Sequence, residues 1–355
     1  MNKKNFLKKK VDKKLLSISR KSKINYFGRA NSAIWCIATY LKSKSNRKTI
    51  ILPSTMCISP AIIFTLNGFK LKFVDVNKND GLINLNKTLK LIKSNKDIAA
   101  LFYVNLFGNK DQNIDKIKNF NNVFIIQDLA QTFFQKKKIP SKDIFGDMVI
   151  LSFGYSKIFD LDHGGIVLSD QEEFYEYGLN FDKKIVNKKI PSIAKKQYLN
   201  WYTKVIIKKE KLKRKTLKSF ASKIYLIKFN NQKVKDIYNS VNILDKESKE
   251  RIKKFKFYKK LFQTLKIPII HSESFFIPWR FSFLIRKRDD HLRMIRKGGY
   301  DASSYYPNIA RVFNKKKETF KNSDIIEKKI VNLWLTKNYN LKKIEEQFNI
   351  LKNNL

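Results

Sequence analysis

Two side chains in this sequence stand where chemistry could be done, and each follows a short apolar run. Val123-Phe124-Ile125-Ile126 leads into Gln127-Asp128-Leu129-Ala130-Gln131, and Met148 to Leu151 leads into Ser152-Phe153-Gly154-Tyr155-Ser156-Lys157. If both runs are buried strands, Asp128 is a carboxylate at a strand end, a costly place for a charge unless something pairs with it. Lys157 follows the next strand and carries an amine of the kind used in nucleophilic catalysis. Ligands of open α/β sheets bind beyond the carboxyl ends of the strands, which is where both residues would lie. Position alone does not single out Lys157, because in so lysine-rich a chain a lysine after a strand is ordinarily a solvated one.

Such a site needs a sheet to hold it. Thr49 to Leu52, Leu71 to Val76, Ile98 to Val104, Val123 to Ile126, Met148 to Phe153 and Gly165 to Leu168 are short, apolar and often β-branched. That pattern predicts buried strands of a mostly parallel sheet. Helical spacing over Ser32 to Lys42 and Leu85 to Lys93 makes βα units of several of them. The last two strands are close enough in sequence to form a hairpin, so the sheet is expected to be mixed. Lys233 to Leu265 reads as a long charged helical stretch, and Phe281 to Ile285, His291 to Lys297 and Leu341 to Leu351 predict a small α+β unit. The expected organisation is a basic lead-in over 1–24, a large domain over 25–232 and a small domain over 233–355.

With 355 residues, 43% of them hydrophobic, the chain can bury two cores, which excludes disorder as a description of the whole. Its 75 Lys and Arg against 30 Asp and Glu give a formal charge of +45, attractive to any polyanion. Lys, Asn and Ile are abundant all along the chain, so the excess reads as compositional drift of the surface, and nucleic acid is not the expected partner. The segment 183–218 is lysine-rich, opposed only by Glu210 and interrupted by Trp201, Tyr202, Val205, Ile206 and Ile207. It has two readings: peripheral contact with an anionic membrane, or the commoner solvated helix face. Cys36 and Cys57 have no metal-ligand spacing, so neither a zinc site nor a disulfide framework is expected, and a reducing cytoplasm fits. No segment approaches the roughly 20 apolar residues of a membrane span.

The order and spacing of Asp128-Leu129-Ala130-Gln131, Gly146-Asp147, Ser152-Phe153-Gly154-Tyr155-Ser156-Lys157 and Gly164-Gly165 resemble the DegT/DnrJ/EryC1/StrS family of sugar aminotransferases. Gly28 to Ile34, Pro53 to Cys57, Asn67-Gly68, Phe73 to Val76, Val104 to Gly108, Trp279 to Ser282 and Ser304 to Pro307 extend the resemblance across most of the chain. It implies a fold-type-I α/β architecture: a large domain with a mixed, mostly parallel seven-stranded sheet flanked by helices, and a small C-terminal α+β domain. It also implies pyridoxal 5′-phosphate as cofactor, joined covalently by Lys157, which then moves the substrate proton, while Asp128 holds the pyridine nitrogen protonated. Ala30, Asn31 and Ser152 would bind the phosphate, aided by a helix starting near Ser32. Gln131 would lie near the ring's 3-oxygen, and Cys57 at the ring-stacking position. Tyr305 and Tyr306 would be substrate contacts, and no metal is implied. The implied assembly is a homodimer, and the implied reaction passes an amino group, from glutamate, to a nucleotide-linked keto-sugar for surface glycan synthesis.

Four positions depart from the family pattern: Cys57 stands for an aromatic residue, Asn31 for Thr or Ser, Asn105 for a frequent His, and His163 for a common Glu. One rival is a different cofactor-dependent reaction on a sugar, such as dehydration, which would replace Lys157 by a residue such as His. The other is a membrane or nucleic-acid binding protein that has lost catalysis.

Overall fold

The computed structural model describes residues 3–111, 113, 116, 123–134, 143–313 and 318–355. Seven strands, β1 (Lys23–Phe27), β2 (Thr49–Pro53), β3 (Lys70–Val74), β4 (Ile98–Val104), β5 (Phe124–Asp128), β6 (Met148–Ser152) and β7 (Gly165–Ser169), form one sheet in the order β1-β7-β6-β5-β4-β2-β3. Strands β2 to β6 pair in parallel, and β7 runs antiparallel to both neighbours. The sheet is therefore mixed, and the hairpin expected from the short β6–β7 separation is present.

The apolar runs become strands because both faces are covered. Every residue of β2, β4, β6 and β7 is buried, whereas edge strand β3 keeps Lys70 and Lys72 outward, which discourages pairing with another chain. On one face the helix Ala30–Lys44 buries Ala33, Ile34, Ile37, Ala38 and Leu41, a helical stripe facing the sheet. On the other, the helix Leu85–Ser94 turns Leu85 and Ile92 toward Ile51, Leu101 and Ile125.

The C-terminal residues build a three-stranded antiparallel sheet in the order β8-β10-β9, from β8 (Arg280–Leu284), β9 (Ala302–Ser303) and β10 (Ile330–Trp334). The helices Leu244–Gln263, Arg288–Lys297 and Leu341–Lys352 cover it with an aromatic core that includes Phe255, Tyr258, Phe262, Phe281, Phe283 and Phe348. The long helical stretch expected over 233–265 is two helices, Val234–Asn242 and Leu244–Gln263, meeting at Ile243.

The basic opening holds more order than a lead-in requires. Lys3–Ser19 is helical, Val11 and Leu15 are buried in the main core, and the helix packs on Val234–Asn242. Strand β1 already begins at Lys23. Alternating lysines hide that single buried stripe from a compositional reading. No helix among the described residues is long and apolar enough to cross a membrane. The segment 183–218 holds the helix Ser192–Tyr202, with Trp201 buried and Ile193 and Leu199 exposed.

Candidate active site

Strand β5 ends on Asp128, whose register places it beside Val104 of β4 and Ile150 of β6 at the carboxyl edge of the parallel strands. The side chain is buried, and the hydrogen bond it accepts comes from Ala130 N–H at 2.7 Å. Burial raises its pKa above the usual carboxylate range, while the Ala130 bond and the charge of Lys157 pull the other way. Lys157 is thus near enough to act electrostatically on Asp128. It is half-buried, on the loop after β6, with its N–H bonded to the Gly154 carbonyl at 3.3 Å.

Ser152 closes β6 opposite Gly165, the first residue of β7, and its Oγ accepts from Gly154 N–H at 3.3 Å. A Cβ on Gly165 would stand 2.3 Å from the Arg29 carbonyl carbon and 2.4 Å from the Ala30 nitrogen. Glycine is required there so that the turn into the helix Ala30–Lys44 can press against β7. Arg29 also bridges Gly164, which has φ +109°. Ser152, Ala30 and half-buried Asn31 are thereby brought to one place, at a helix start with no side-chain cap and no acidic residue in its first turn. Oriented backbone N–H groups and the dipole end make such a place a binding site for a phosphate. Ser32 does not contribute its hydroxyl, which donates to the Tyr225 carbonyl at 2.6 Å.

Gln131 is buried, and its Oε1 accepts from Phe107 N–H at 2.9 Å, supporting a left-handed turn at Phe107 with φ 60°. Cys57 precedes the helix Ile58–Leu66, half-buried, with its Sγ 3.7 Å from Ser59 Oγ. It lies among tyrosines, acting electrostatically on Tyr198, Tyr202, Tyr225 and Tyr306. Tyr305 and Tyr306 are not equivalent. Tyr306 is buried, stacks on Trp279 with centroids 5.9 Å apart, and has its phenol raised mainly by burial, with Cys57 and Asp128 adding to the rise. Tyr305 is 45% exposed. The structure thus brings Asp128, Lys157, Cys57 and Tyr306 toward one another, and leaves Tyr305 at the rim.

Other motif residues are structural. Asn105 bonds the Asn109 carbonyl and Gln127, knotting the ends of β4 and β5 together. A Cβ on Gly146 would meet the Gln127 nitrogen at 2.9 Å, and Asp147 accepts from Ile125 N–H at 2.7 Å. His163 Nε2 accepts from Asn230 N–H at 3.0 Å, and burial, then Arg29 and Lys233, push its pKa down to about 4. It is therefore a neutral acceptor. Sequence reasoning assigned no role to Ser156 of the Lys157 loop, or to Trp279, Arg280 and Arg251, which bond that loop. The available signal was arginine itself, used at two buried positions in a chain that otherwise favours lysine.

With this sheet, this edge and these residues, the chain belongs to the DegT/DnrJ/EryC1/StrS aminotransferase family, whose model matches residues 31–352. Among curated relatives it is similar to UDP-4-amino-4,6-dideoxy-N-acetyl-beta-L-altrosamine transaminase of Campylobacter jejuni, 29% identical over 41% of this chain and 38% of that protein. It is also similar to dTDP-4-amino-4,6-dideoxy-D-glucose transaminase of Shigella dysenteriae, 25% identical over 47% of this chain and 45% of that one. A GDP-4-keto-6-deoxy-D-mannose 3-dehydratase of Yersinia pseudotuberculosis is 27% identical over 36% of this chain and 32% of its own length. In each case the match spans less than half of the relative. The fold is shared over nearly the whole molecule: Helicobacter pylori PseC, an aminotransferase of pseudaminic acid biosynthesis, superposes with a TM-score of 0.75 over 99% of this chain and 91% of that one, at 16% identity.

Proposed function

We propose that this protein is a pyridoxal-5′-phosphate-dependent aminotransferase that passes an amino group, from glutamate, to a nucleotide-linked keto-sugar for glycan synthesis, as a cytoplasmic homodimer. The observation that carries this reading is an under-satisfied buried carboxylate, Asp128, within electrostatic reach of Lys157 at one sheet edge, beside the uncapped helix start and Ser152. When bound, the cofactor supplies an aldehyde and an electron-withdrawing ring. Asp128 suits the task of keeping a ring nitrogen protonated, because burial deprives its carboxylate of water and leaves capacity to accept a further donor. Lys157 would bind the aldehyde carbon and then carry a proton at the substrate α-carbon. Ser152 Oγ and the Ala30–Asn31 turn would bind the phosphate. Cys57 leaves room where an aromatic ring would otherwise stack. Tyr306 would line the substrate side, with Tyr305 at the entrance, and the positive surface would draw in a diphosphate-bearing substrate.

The dehydratase relative favours a second reading, another reaction of the same cofactor on a sugar. Retention of an amine at Lys157 supports transamination over it. The test is reconstitution with pyridoxal 5′-phosphate, followed by a panel of nucleotide keto-sugars with and without glutamate. Expected are a visible absorbance abolished in Lys157→Ala and an aminated sugar formed only with glutamate. Conversion of the sugar to a product that carries no nitrogen from glutamate would establish the second reading. Salt-sensitive binding of anionic vesicles or RNA, with no chromophore, would overturn both.

A further inference from the structure

The residues on both sides of Lys157 are held by the C-terminal unit. Ser156, immediately before it, has φ 63°, a left-handed conformation unfavourable for a side chain with a Cβ. Its polar groups are engaged: the N–H donates to Asp160 Oδ2 at 2.8 Å, the carbonyl accepts from Trp279 Nε1 at 2.8 Å, and Oγ accepts from Arg280 Nη2 at 2.6 Å. Immediately after Lys157, the Ile158 carbonyl accepts from Arg251 Nη2 at 3.5 Å. Arg251 Nη1 also donates to the Trp279 carbonyl at 3.0 Å, so the two flanks are tied to each other.

Neither arginine is an ordinary surface charge, since each is 2% exposed. Arg251 has Glu247 at 2.6 Å, but Arg280 has no carboxylate partner among the described residues. Its guanidinium lies between two indoles, 3.9 Å from the Trp279 centroid and 3.5 Å from that of Trp334, and its Nη1 donates to Ser303 Oγ. Its Nε is buried without a partner, and burial pulls its pKa down to about 10. An uncompensated buried charge weakens a fold, and a neutral side chain of the same length would pack there more cheaply. What it supplies is a planar fork that lies flat on aromatic rings while reaching two hydroxyls, a geometry lysine lacks.

We propose that Trp279, Arg280 and Arg251 are positioning residues that clamp the backbone before and after Lys157. The amine is then aimed at its target only while the three-stranded unit is docked. The proposal rests on Lys157 being the cofactor-binding amine. None of the three need touch cofactor or substrate; they act through Ser156 and Ile158.

The test uses the full chain with Ser156→Ala, which removes the acceptor of Arg280 alone, and Arg280→Met and Arg280→Lys. Loading with pyridoxal 5′-phosphate is read by mass after borohydride reduction, together with the pH at which the visible absorbance titrates and separate kcat and KM values. The expected result for Ser156→Ala is wild-type loading, a melting temperature lowered by the stranded Arg280 donor, a displaced titration, and kcat lowered about ten- to a hundredfold with both KM values within about twofold. Arg280→Lys should fail to restore kcat. Unchanged kcat and titration in Ser156→Ala would overturn the clamp. So would rescue by Arg280→Lys, or a loss confined to KM for the amino donor, which would make Arg280 a carboxylate ligand. Should Arg280→Met not fold, Ser156→Ala decides. A wild type that takes up no cofactor sinks the functional reading, whereas a normally loaded wild type with an unaffected Ser156→Ala sinks the clamp alone.

Discussion

Two buried carboxylates stand beyond parallel strands of the same sheet, and their surroundings are opposite. Asp75, just after β3, accepts four hydrogen bonds: from Val76 N–H, from the N–H groups of Asn322 and Ser323, and from Ser323 Oγ. It caps from outside the helix Lys321–Lys329, whose own preceding residue, Phe320, has no side chain able to do so. Asp128, the last residue of β5, accepts from Ala130 N–H alone among the described residues, and burial holds its pKa up. A carboxylate gripped by four donors is a fastener. One left with capacity, near an amine, is a site.

That contrast can be broken at several points. The largest effect belongs to Lys157→Ala, which should lower aminotransfer by about 10⁴-fold or more and abolish the visible absorbance of loaded protein. Next, Asp128→Asn should cost about 10²- to 10³-fold in kcat yet stabilise the cofactor-free protein by about 1–2 kcal/mol at neutral pH. The sign follows from the raised native pKa: the native state binds the proton more tightly, so stability is full below the unfolded carboxylate pKa and is lost as pH rises through the native one. Thermal melts of wild type and variant should therefore converge at acid pH and separate toward neutral; a less stable variant at neutral pH would erase the distinction. Asp75→Ala should do the reverse, destabilising by about 3 kcal/mol through stranded buried donors while folded protein still loads cofactor. Denaturant midpoints and loading stoichiometry measure both arms.

A smaller change is expected of Ser152→Ala, about tenfold weaker binding of pyridoxal 5′-phosphate by equilibrium dialysis, since one hydroxyl among several phosphate donors is lost. The smallest concerns His163 and His271, each pushed by burial down to about 4. A depressed native pKa gives stability present above the ordinary histidine value of 6.5 and lost as pH falls toward 4. His163→Gln should flatten the acid side of the melting profile without altering it above pH 7.

Most of the sheet was legible because its strands are buried on both faces and so stand out as apolar runs among lysines; β4, with seven buried residues, is the clearest. Asp128, Ser152 and Lys157 were legible through spacing and resemblance. The helix Lys3–Ser19 was not, since its buried Val11 and Leu15 are too few to mark a period against the surrounding charges. The engagement of Ser156 with Trp279 and Arg280 was invisible for another reason. Its partners are 123 and 124 residues away, and no local pattern encodes which distant side chain will reach a loop.

The loop that carries Lys157 leaves the sheet at Ser152 and returns at Gly165, and these two residues face each other across the ladder. Phe153 N–H closes it onto the Gly164 carbonyl at 2.9 Å. The excursion is an arch on fixed abutments, its two feet held by the strand ladder. Whatever chemistry Lys157 performs at the keystone thus rests on masonry set by the ladder below it.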